Sequence, residues 1–366
     1  MESAYYIGIM SGTSLDGVDT VLVDLGLQQR KLVKTFFLPY DHELKAKLLA
    51  LQYPNDDELN RAALMANQLA DLYAQAIGGL FENDSQLLQN VRAIGCHGQT
   101  IRHCPQDDKR YTIQLVNAAL LAELTQTTVV ADFRSRDIAA GGQGAPLVPA
   151  FHQALFMDTK HQRIIVNIGG IANITYLDAD EPLTGFDCGP GNLLMDAWCS
   201  YHRGQSYDKN GQWAATGEVL PDLLGKFYAD EFFSSPPPKS TGRDLFNFRW
   251  LERHLHGSEF PEDVQRTLLQ LTVLSIVSAI NQYYPATDEV YLCGGGAHNK
   301  LLFNTIKNQL PARRVALTDE LGVPADWVEA YAFAWLAQQA ICGQSANVPS
   351  VTGAKGKRIL GAIYPA

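Results

Sequence analysis

The sequence predicts an α/β protein built from two similar halves, each a β-meander followed by helices. The opening residues contain three apolar strand patterns separated by turn residues, near 5–10, 18–25 and 31–38. Residues 163–177 again read as strand, glycine break and strand, with IVNIGGIANI matching the earlier IGIMSGTSLD. At 366 residues the chain is long enough for two domains. Periodicity alone also allows a single sheet interrupted by insertions.

Helical and strand patterns alternate through the rest of the first half. Apolar residues recur at intervals of three and four from about Asp57 to Leu80, which predicts a helix. RAIGCHG, YTIQL and TTVVAD read as short strands between helices, as in an α/β layer. The glycine-rich segment 132–151 predicts a functional loop, a helix near 147–157 and a domain boundary. We therefore predict a first domain at residues 1–150 and a second at 151–366.

The second half carries longer helical patterns and one further glycine turn. EVYLCGGGAHNKLL, residues 289–302, reads as strand, glycine turn and helix. Helices are predicted near 190–203, 217–229, 261–284 and 326–340.

Charge and composition exclude several classes of function. A net charge of -10 opposes binding to nucleic acid or to anionic lipid. No window holds the roughly 18 uninterrupted apolar residues that a membrane span needs. Residues 1–4 have no basic segment before the first apolar run, so we expect no signal peptide. The 6 cysteines form no CxxC pair, which indicates reduced thiols in a cytoplasmic protein.

Glycine turns follow apolar strands at three places, Gly12, Gly169–Gly170 and Gly294–Gly296. Such turns leave backbone N–H groups accessible to an anion, as phosphate binding requires. Each turn alone is also explained as an ordinary hairpin or helix entry, the last with His298 or Asn299 as a cap. A P-loop and the protein-kinase signatures HRD and DFG are absent from the sequence. The three turns together favour a ligand whose phosphates approach the backbone.

These turns resemble the phosphate-1, phosphate-2 and adenosine elements of the sugar kinase, Hsp70 and actin superfamily. A closer resemblance, to the anhydro-N-acetylmuramic acid kinase family, runs from residue 5 to residue 365. It is carried by GIMSGTSLDGVD, GCHGQTIRH, DFRSRDIAAGGQGAPLVP, NIGGIANIT, GFDCGPGN, CGGGAHN and VEAYAFAWLA. The resemblance implies a two-lobed, ribonuclease H-like fold with ATP and sugar in the cleft between the lobes. It also allows the segment near 350–366 to belong to the first lobe.

The resemblance implies a kinase of peptidoglycan recycling. In this reaction water opens the ring of 1,6-anhydro-N-acetylmuramic acid while ATP phosphorylates O6, giving N-acetylmuramic acid 6-phosphate and ADP. ATP, Mg²⁺ and homodimerisation are implied with it. The rival interpretations are another sugar or carboxylate kinase of the superfamily, and an ATP-gated binding protein like Hsp70 or actin. Addition of a free sugar should raise the rate of ATP turnover by a sugar kinase. It should leave the rate of a gated binding protein unchanged.

The resemblance assigns Asp187 as the base that activates water. The alternative is an N-cap role for Asp187 at a helix that begins near Pro190. The residues assigned to the nucleotide are Gly12, Thr13, Ser14, Leu15, Asp16, Gly17, Val18, Asp19, Asn167, Gly169, Gly170, Gly294, Gly295 and Gly296.

The residues assigned to the sugar lie in three segments. His97, Gln99 and Thr100 are expected in a loop that reads hydroxyl groups, with a satisfied loop histidine as the alternative. Arg134 or Arg136 would hold the lactyl carboxylate, unless both belong to a surface ion-pair ladder. The resemblance directs Glu329 to the sugar as well, although the exposed face of an apolar helix is its alternative.

The metal ligands are left open by the sequence. The superfamily's phosphate-1 element begins with an aspartate that helps to hold hydrated magnesium, and Met10 occupies that place here. Asp16, Asp19 and Asp187 are the remaining candidates. The histidines and cysteines of CHGQTIRHC do not have the spacing of a zinc site.

Overall fold

The structure, a computed structural model, describes residues 3–26, 30–82, 84–105 and 108–366. The strands are β1 (Tyr5–Ser11), β2 (Gly17–Asp24), β3 (Lys31–Pro39), β4 (Val91–Cys104), β5 (Tyr111–Leu115), β6 (Val129–Ala131), β7 (Arg163–Ile168), β8 (Ile171–Leu177), β9 (Thr184–Pro190), β10 (Glu289–Cys293), β11 (Arg314–Leu317) and β12 (Ala362–Tyr364). The helices are α1 (His42–Ala50), α2 (Glu58–Leu80), α3 (Ser85–Leu88), α4 (Ala118–Thr125), α5 (Ser135–Ala139), α6 (Val148–Phe156), α7 (Leu193–Arg203), α8 (Pro221–Tyr228), α9 (Glu231–Ser234), α10 (Phe248–Glu252), α11 (Pro261–Tyr283), α12 (Lys300–Gln309), α13 (Val328–Ile341) and α14 (Pro349–Thr352).

The chain divides into two units. Unit 1 comprises Met1–Phe151 together with Trp327–Ala366, and unit 2 comprises His152–Asp326. The sequence analysis predicts a second domain at 151–366 and allows only the segment near 350–366 to join the first. In the structure, the segment that joins unit 1 begins earlier, at Trp327. Trp327–Ala366 groups with unit 1 because α13 packs on β1 and β4 and because β12 pairs with β6.

Unit 1 is built on a sheet that has seven strands within the described ranges, in the order β12-β6-β4-β1-β2-β3, with β5 paired to β4. β1, β2 and β3 form the predicted antiparallel meander. β4 runs parallel to β1, and β6 runs parallel to β4. The buried side chains of β1, β2 and β4 pack with α1, α2 and α4 in one apolar core.

Unit 2 repeats this strand order. Its sheet runs β11-β10-β7-β8-β9, in which β7, β8 and β9 form an antiparallel meander. β10 lies parallel to β7, and β11 lies parallel to β10, just as β4 and β6 follow β1. The prediction of two β-meander halves is therefore confirmed, and the single interrupted sheet is wrong. Among the described helices, none has the length and hydropathy needed to cross a membrane.

The helix α13 lies unusually close to the sheet of unit 1 because two glycines face it. Gly8 of β1 and Gly95 of β4 are direct neighbours in the parallel ladder. A Cβ atom added to Gly8 would lie 1.8 Å from the carbonyl oxygen of Ala330, and one added to Gly95 would lie 2.0 Å from that of Phe333. The glycine pair thus allows the backbone of an alanine-rich helix to contact the sheet directly.

Candidate functional site

The β1–β2 hairpin of unit 1 has an anchored base and an open tip. Leu15 has a left-handed backbone, with φ of 61°, and its buried side chain holds the turn against the core. Thr13 and Ser14 are exposed. A Cβ added to Gly12 would meet only Ser14 Oγ, at 3.7 Å, so the protein itself does not require glycine there. The tip therefore leaves room for a ligand to approach the backbone.

Hydrogen bonds tie this hairpin to β4. Gln99 is fully buried, and its Nε2 donates to the carbonyl oxygen of Gly12 at 3.1 Å. Ser11 Oγ donates to the carbonyl oxygen of Gly98 at 3.1 Å and lies 2.8 Å from the hydroxyl of Tyr73. Burial raises the pKa of Tyr73 well above its usual value, so this hydroxyl stays protonated. Two predicted sites of unit 1, the hairpin and the GCHGQT segment, are thus brought together.

The prediction that His97, Gln99 and Thr100 lie in a loop is wrong, because all three belong to β4. The strand continues past Gly98, which has φ of 75°, and pairs with β5 from Gln99 onward. Thr100 Oγ1 accepts a hydrogen bond from Gln114 Nε2 of β5 at 3.2 Å. The second strand supplies the backbone partners that a loop would have lacked.

The side chains of His97 and Arg134 are hydrogen-bonded to each other. Arg134 donates from Nε and Nη2 to Nε2 of His97, at 3.1 and 2.9 Å, and from Nη1 to the carbonyl oxygen of Gly144 at 2.7 Å. Burial, and then the charge of Arg134, hold the pKa of His97 well below its usual value. His97 is therefore neutral, with Nε2 accepting and Nδ1 protonated. Its ring also contacts Phe333 of α13, with the centroids 4.7 Å apart.

The remaining sugar candidates of unit 1 differ in their exposure. Arg136 lies on α5 and is exposed. The arginine that donates to His97 is Arg134. Asp137 is buried and accepts hydrogen bonds from neutral donors, which argues against a surface ion-pair ladder. Glu329 is half-buried in the first turn of α13.

Asp187 of unit 2 is a nearly buried carboxylate within β9. It is 7% exposed, and its Oδ2 accepts a hydrogen bond from the backbone N–H of Thr241 at 2.9 Å. Asn173 of β8 lies directly opposite Asp187, and Asn167 of β7 lies opposite Asn173. Residues opposite one another in a sheet face the same side, so these three side chains form one polar row.

The N-cap interpretation of Asp187 is wrong. α7 begins at Leu193, and Asn192 occupies the position before it, whereas β9 continues to Pro190. Gly189 and Pro190 therefore extend the strand beyond Asp187 instead of starting a helix. This leaves the carboxylate without a helix-capping role.

The glycine turns of unit 2 converge on the start of α7. The backbone N–H of Asn192 donates to the carbonyl oxygen of Gly169, and that of Gly191 to the carbonyl oxygen of Gly170, both at 2.9 Å. A Cβ added to Gly294, whose φ is 80°, would lie 2.3 Å from Oδ1 of Asn167. At Gly295 the nearest atom would be Nδ2 of Asn192, at 4.0 Å, so this position is open.

In the described part of the chain, two buried amide oxygens near these glycine turns lack a hydrogen-bond partner. Within the described ranges, Oδ1 of Asn167 and Oδ1 of Asn192 are buried and accept no hydrogen bond. A buried polar atom without a partner is costly and points to a missing ligand or water. The capping alternative for the third turn holds for Asn299, whose side chain accepts from the N–H of Leu302 at 3.1 Å. Capping by Asn299 leaves the open position at Gly295 available to a ligand.

A metal site made of protein groups alone is not found in the part of the chain that the structure describes, where no three His, Cys, Asp or Glu side chains are grouped to hold an ion. Asp16, at the hairpin, lies 3.8 Å from Nζ of Lys45 and is well exposed. Mg²⁺ bound with a nucleotide takes most of its ligands from phosphate and water, and needs only one or two protein oxygens. The carboxylates of Asp16, Asp19 and Asp187 are compatible with that smaller requirement.

Several residues of these sites were missed from the sequence. Asn192 stands in the quoted GFDCGPGN motif, so its position beside Asp187 was a usable signal. Asn173, Ser11 and Thr241 reach their sites through strand register or through a long loop. Tyr73 comes from the middle of α2, and no local pattern distinguishes it from other core residues.

Known proteins of one family match nearly the whole chain. The sequence profile described as "Anhydro-N-acetylmuramic acid kinase" matches residues 4–366. The chain is 59% identical over 366 residues to a protein of that name from Nitrosospira multiformis, with 100% of both chains covered. It is 58% identical over 362 residues to another from Nitrosomonas europaea, covering 99% of this chain and 100% of the relative. A ROK family glucokinase structure from Streptomyces griseus, with glucose and AMPPNP, overlaps at a TM-score of 0.42 and 13% identity, covering 92% of this chain and 100% of that one.

Proposed function

Because the chain belongs to the anhydro-N-acetylmuramic acid kinase family, we propose that Asp187 is the general base of a coupled ring-opening and phosphoryl-transfer reaction. The observation that carries this role is the geometry of its carboxylate. Asp187 is nearly buried, is held by the N–H of Thr241, and heads a row of neutral amides. A buried carboxylate that the backbone holds in place can take a proton from water.

The reaction is that of a kinase acting on 1,6-anhydro-N-acetylmuramic acid. Asp187 takes a proton from water as the water oxygen bonds to the anomeric carbon, and the bond from that carbon to O6 breaks. O6 then forms a bond to the γ-phosphorus of ATP, and the bond from that phosphorus to the β-phosphate oxygen breaks. The products are N-acetylmuramic acid 6-phosphate and ADP, with the proton passing from Asp187 to solvent. This activity serves the recycling of cell-wall sugars.

Nucleotide binding is assigned to the three glycine turns. The open tip around Gly12, Thr13 and Ser14 supplies N–H and hydroxyl donors for the phosphates. The open positions at Gly169 and Gly295 support the same role for the turns of unit 2. The remaining hairpin residues, Leu15 to Asp19, hold that tip in place.

Sugar recognition is assigned to the His97–Arg134 pair, with Gln99 and Thr100 on the same strand. A guanidinium that is held by a neutral histidine keeps its full positive charge for the lactyl carboxylate of the sugar. Glu329, in the first turn of α13, is proposed to act on the same substrate. Arg136 is the second candidate for binding the lactyl carboxylate, because its side chain is exposed to solvent.

Three further parts of the proposal rest on the family resemblance. Mg²⁺ accompanies ATP, with Asp16, Asp19 and Asp187 as candidates for its protein ligands; it would neutralise charge on the transferring phosphoryl group. The protein acts as a homodimer. It acts in the cytoplasm, which the free state of all described cysteines, Cys96, Cys104, Cys188, Cys199, Cys293 and Cys342, supports.

The test incubates the protein with ATP, Mg²⁺ and 1,6-anhydro-N-acetylmuramic acid in ¹⁸O-labelled water, followed by mass spectrometry of the sugar. We expect a sugar phosphate that carries the label at the anomeric position. Asp187→Asn should slow its formation by about 10²–10⁴-fold, the usual contribution of a general base. The matched control is Asp208→Asn, since Asp208 is also a nearly buried carboxylate of unit 2 that accepts backbone N–H groups.

Each outcome separates the interpretations. Label at the anomeric carbon that is lost with Asp187→Asn, but not with Asp208→Asn, supports the proposed base. Unlabelled product would exclude attack by water at that carbon. ATP turnover that ignores every free sugar would favour a gated binding protein, and turnover on a sugar without an anhydro ring would favour another kinase of the superfamily.

A further inference from the structure

Asp137 of α5 is a fully buried carboxylate that is satisfied by neutral groups. Its Oδ2 accepts from the backbone N–H of Gly144 at 2.9 Å. Its Oδ1 accepts from Nδ2 of Asn347 and from Oγ1 of Thr352, both at 2.8 Å. Burying a carboxylate is costly unless its oxygens are fully hydrogen-bonded, so this arrangement depends on all three donors.

The Gly144 contact connects Asp137 to the His97–Arg134 pair. Asp137 holds the N–H of Gly144, and Arg134 Nη1 donates to the carbonyl oxygen of the same residue at 2.7 Å. Arg134 in turn donates to His97 through its other nitrogens. Asp137 thus holds the N–H of Gly144, and the carbonyl oxygen of Gly144 holds the guanidinium of Arg134, so Gly144 links the two side chains.

The glycine-rich sequence GGQG is explained by the same carboxylate. The N–H of Gly142 donates to the backbone oxygen of Asp137 at 2.9 Å. A Cβ added to Gly142 would lie 2.2 Å from Oδ2 of Asp137, so only glycine fits beside it. The loop from Gly141 to Gly144 is thus shaped around Asp137 before any ligand arrives.

The C-terminal segment from Asn347 to Lys355 closes over this loop from the other side. Besides the side-chain bonds to Asp137, the N–H of Gln143 donates to the carbonyl oxygen of Thr352, and that of Lys355 to Ala140, both at 2.8 Å. These contacts join segments that are more than 200 residues apart in the sequence. The loop is clamped between α5 and the segment Asn347–Lys355.

We propose that Asp137 is a positioning residue for sugar binding, which fixes the 141–144 loop between the C-terminal segment and Arg134. This proposal rests on the proposed function, because Arg134 is taken there as the group that binds the lactyl carboxylate. Asp137 itself is fully buried, so it can act on the sugar only through its neighbours. Its effect passes through Gly144 to the guanidinium of Arg134.

Asp137→Asn tests the proposal because it keeps the volume but turns one oxygen into an N–H donor that faces another donor. We expect the KM for the anhydro sugar to rise about tenfold, the usual effect of one broken buried hydrogen bond. The KM for ATP should stay within about twofold. Thr352→Val removes one donor to Asp137 and should also raise the sugar KM, by a smaller factor. Thr352→Ser keeps the hydroxyl and should have the wild-type KM. Asp208→Asn is the matched control and should leave the sugar KM unchanged.

Two further measurements separate positioning from a general loss of stability. In an Arg134→Lys background, Asp137→Asn should add little, since residues that act through one another are not additive. Hydrogen exchange of the Gly144 amide, measured without sugar, should accelerate in Asp137→Asn. Unchanged exchange at Gly144, equal changes in both KM values, or full additivity with Arg134→Lys would overturn the proposal. A wild-type protein that leaves the anhydro sugar intact would instead refute the proposed function, whatever the exchange result.

Discussion

Gly12 and Gly17 flank the same hairpin for different physical reasons. A Cβ added to Gly17 would lie 2.4 Å from the carbonyl oxygen of Leu38 and 2.7 Å from the ring of Phe37, so the fold itself requires glycine. Gly12 has no such neighbour and does not have a positive φ. The fold therefore does not require glycine at this position, in agreement with the proposed approach of phosphate to the hairpin.

This contrast gives a prediction for Gly12→Ala. The melting temperature should stay within about 2 °C of the wild type, because a surface substitution without new clashes changes stability by about 0.5 kcal/mol or less. The KM for ATP should rise several-fold, since a methyl group would obstruct the approach of phosphate. Calorimetry and steady-state kinetics measure the two effects. Gly17→Ala is the control and should lose stability; a Gly12→Ala protein with unaltered ATP kinetics would contradict the assignment of the hairpin.

At the scale of elements, the contact of α13 with β1 and β4 gives a second prediction. Gly8→Ala should lower the free energy of unfolding by about 3 kcal/mol, because its methyl group would overlap the backbone of α13. Gly78→Ala is the opposite control, since Gly78 lies within α2 with no atom near its added Cβ. It should gain about 0.5–1 kcal/mol through helix propensity. Urea unfolding of both variants measures the difference; a stable Gly8→Ala protein would show that α13 can move away from the sheet.

Elements with strong local periodicity were predictable from the sequence, and elements that depend on distant partners were not. The meander β1–β3 and helix α2 follow from alternation and from three- and four-residue spacing. The length of β4 depends on pairing with β5 and on the left-handed Gly98, neither of which periodicity shows. The sequence predicts a functional loop around GGQG but not its shape, because the carboxylate that shapes it and the C-terminal segment that covers it are joined by tertiary contacts alone.

The candidate sites divide in the same way. The glycine turns were visible because their residue types are unusual after apolar strands, whereas Asp187 was identified through the family resemblance. The contact between Arg134 and His97 depends on tertiary structure, and the polar row of Asn167, Asn173 and Asp187 depends on strand register. Local sequence therefore locates candidates, whereas register decides which of them share a face.

At the scale of the whole molecule, buried neutral histidines predict the response of stability to pH. Burial lowers the pKa of His152 to about 3, and burial with Arg134 holds that of His97 well below 6.5. In the unfolded chain both histidines take up protons once the pH falls below about 6.5, while the folded protein does not. Stability is therefore complete at neutral pH and falls as the pH decreases, by about 1.4 kcal/mol per pH unit for each histidine.

The measurement is urea unfolding between about pH 7 and about pH 4.5, for the wild type and for His152→Gln. The variant cannot take up this proton in the unfolded state, so its stability should depend on pH less steeply by about one proton. Other groups that titrate over this range are common to both proteins and cancel in the comparison. Equal slopes for the two proteins would mean that His152 is accessible to protons in the folded state.

The division of unit 1 between the two ends of the chain has a consequence for biosynthesis. Residues 152–326 are continuous, so unit 2 can complete its sheet as soon as it leaves the ribosome. Unit 1 begins first but must wait for Val328–Ile341, which covers the glycine pair on β1 and β4. During that interval its apolar sheet face is open to chaperones and to other nascent chains. The strands β1–β6 of unit 1 are thus translated before unit 2 but mature after it.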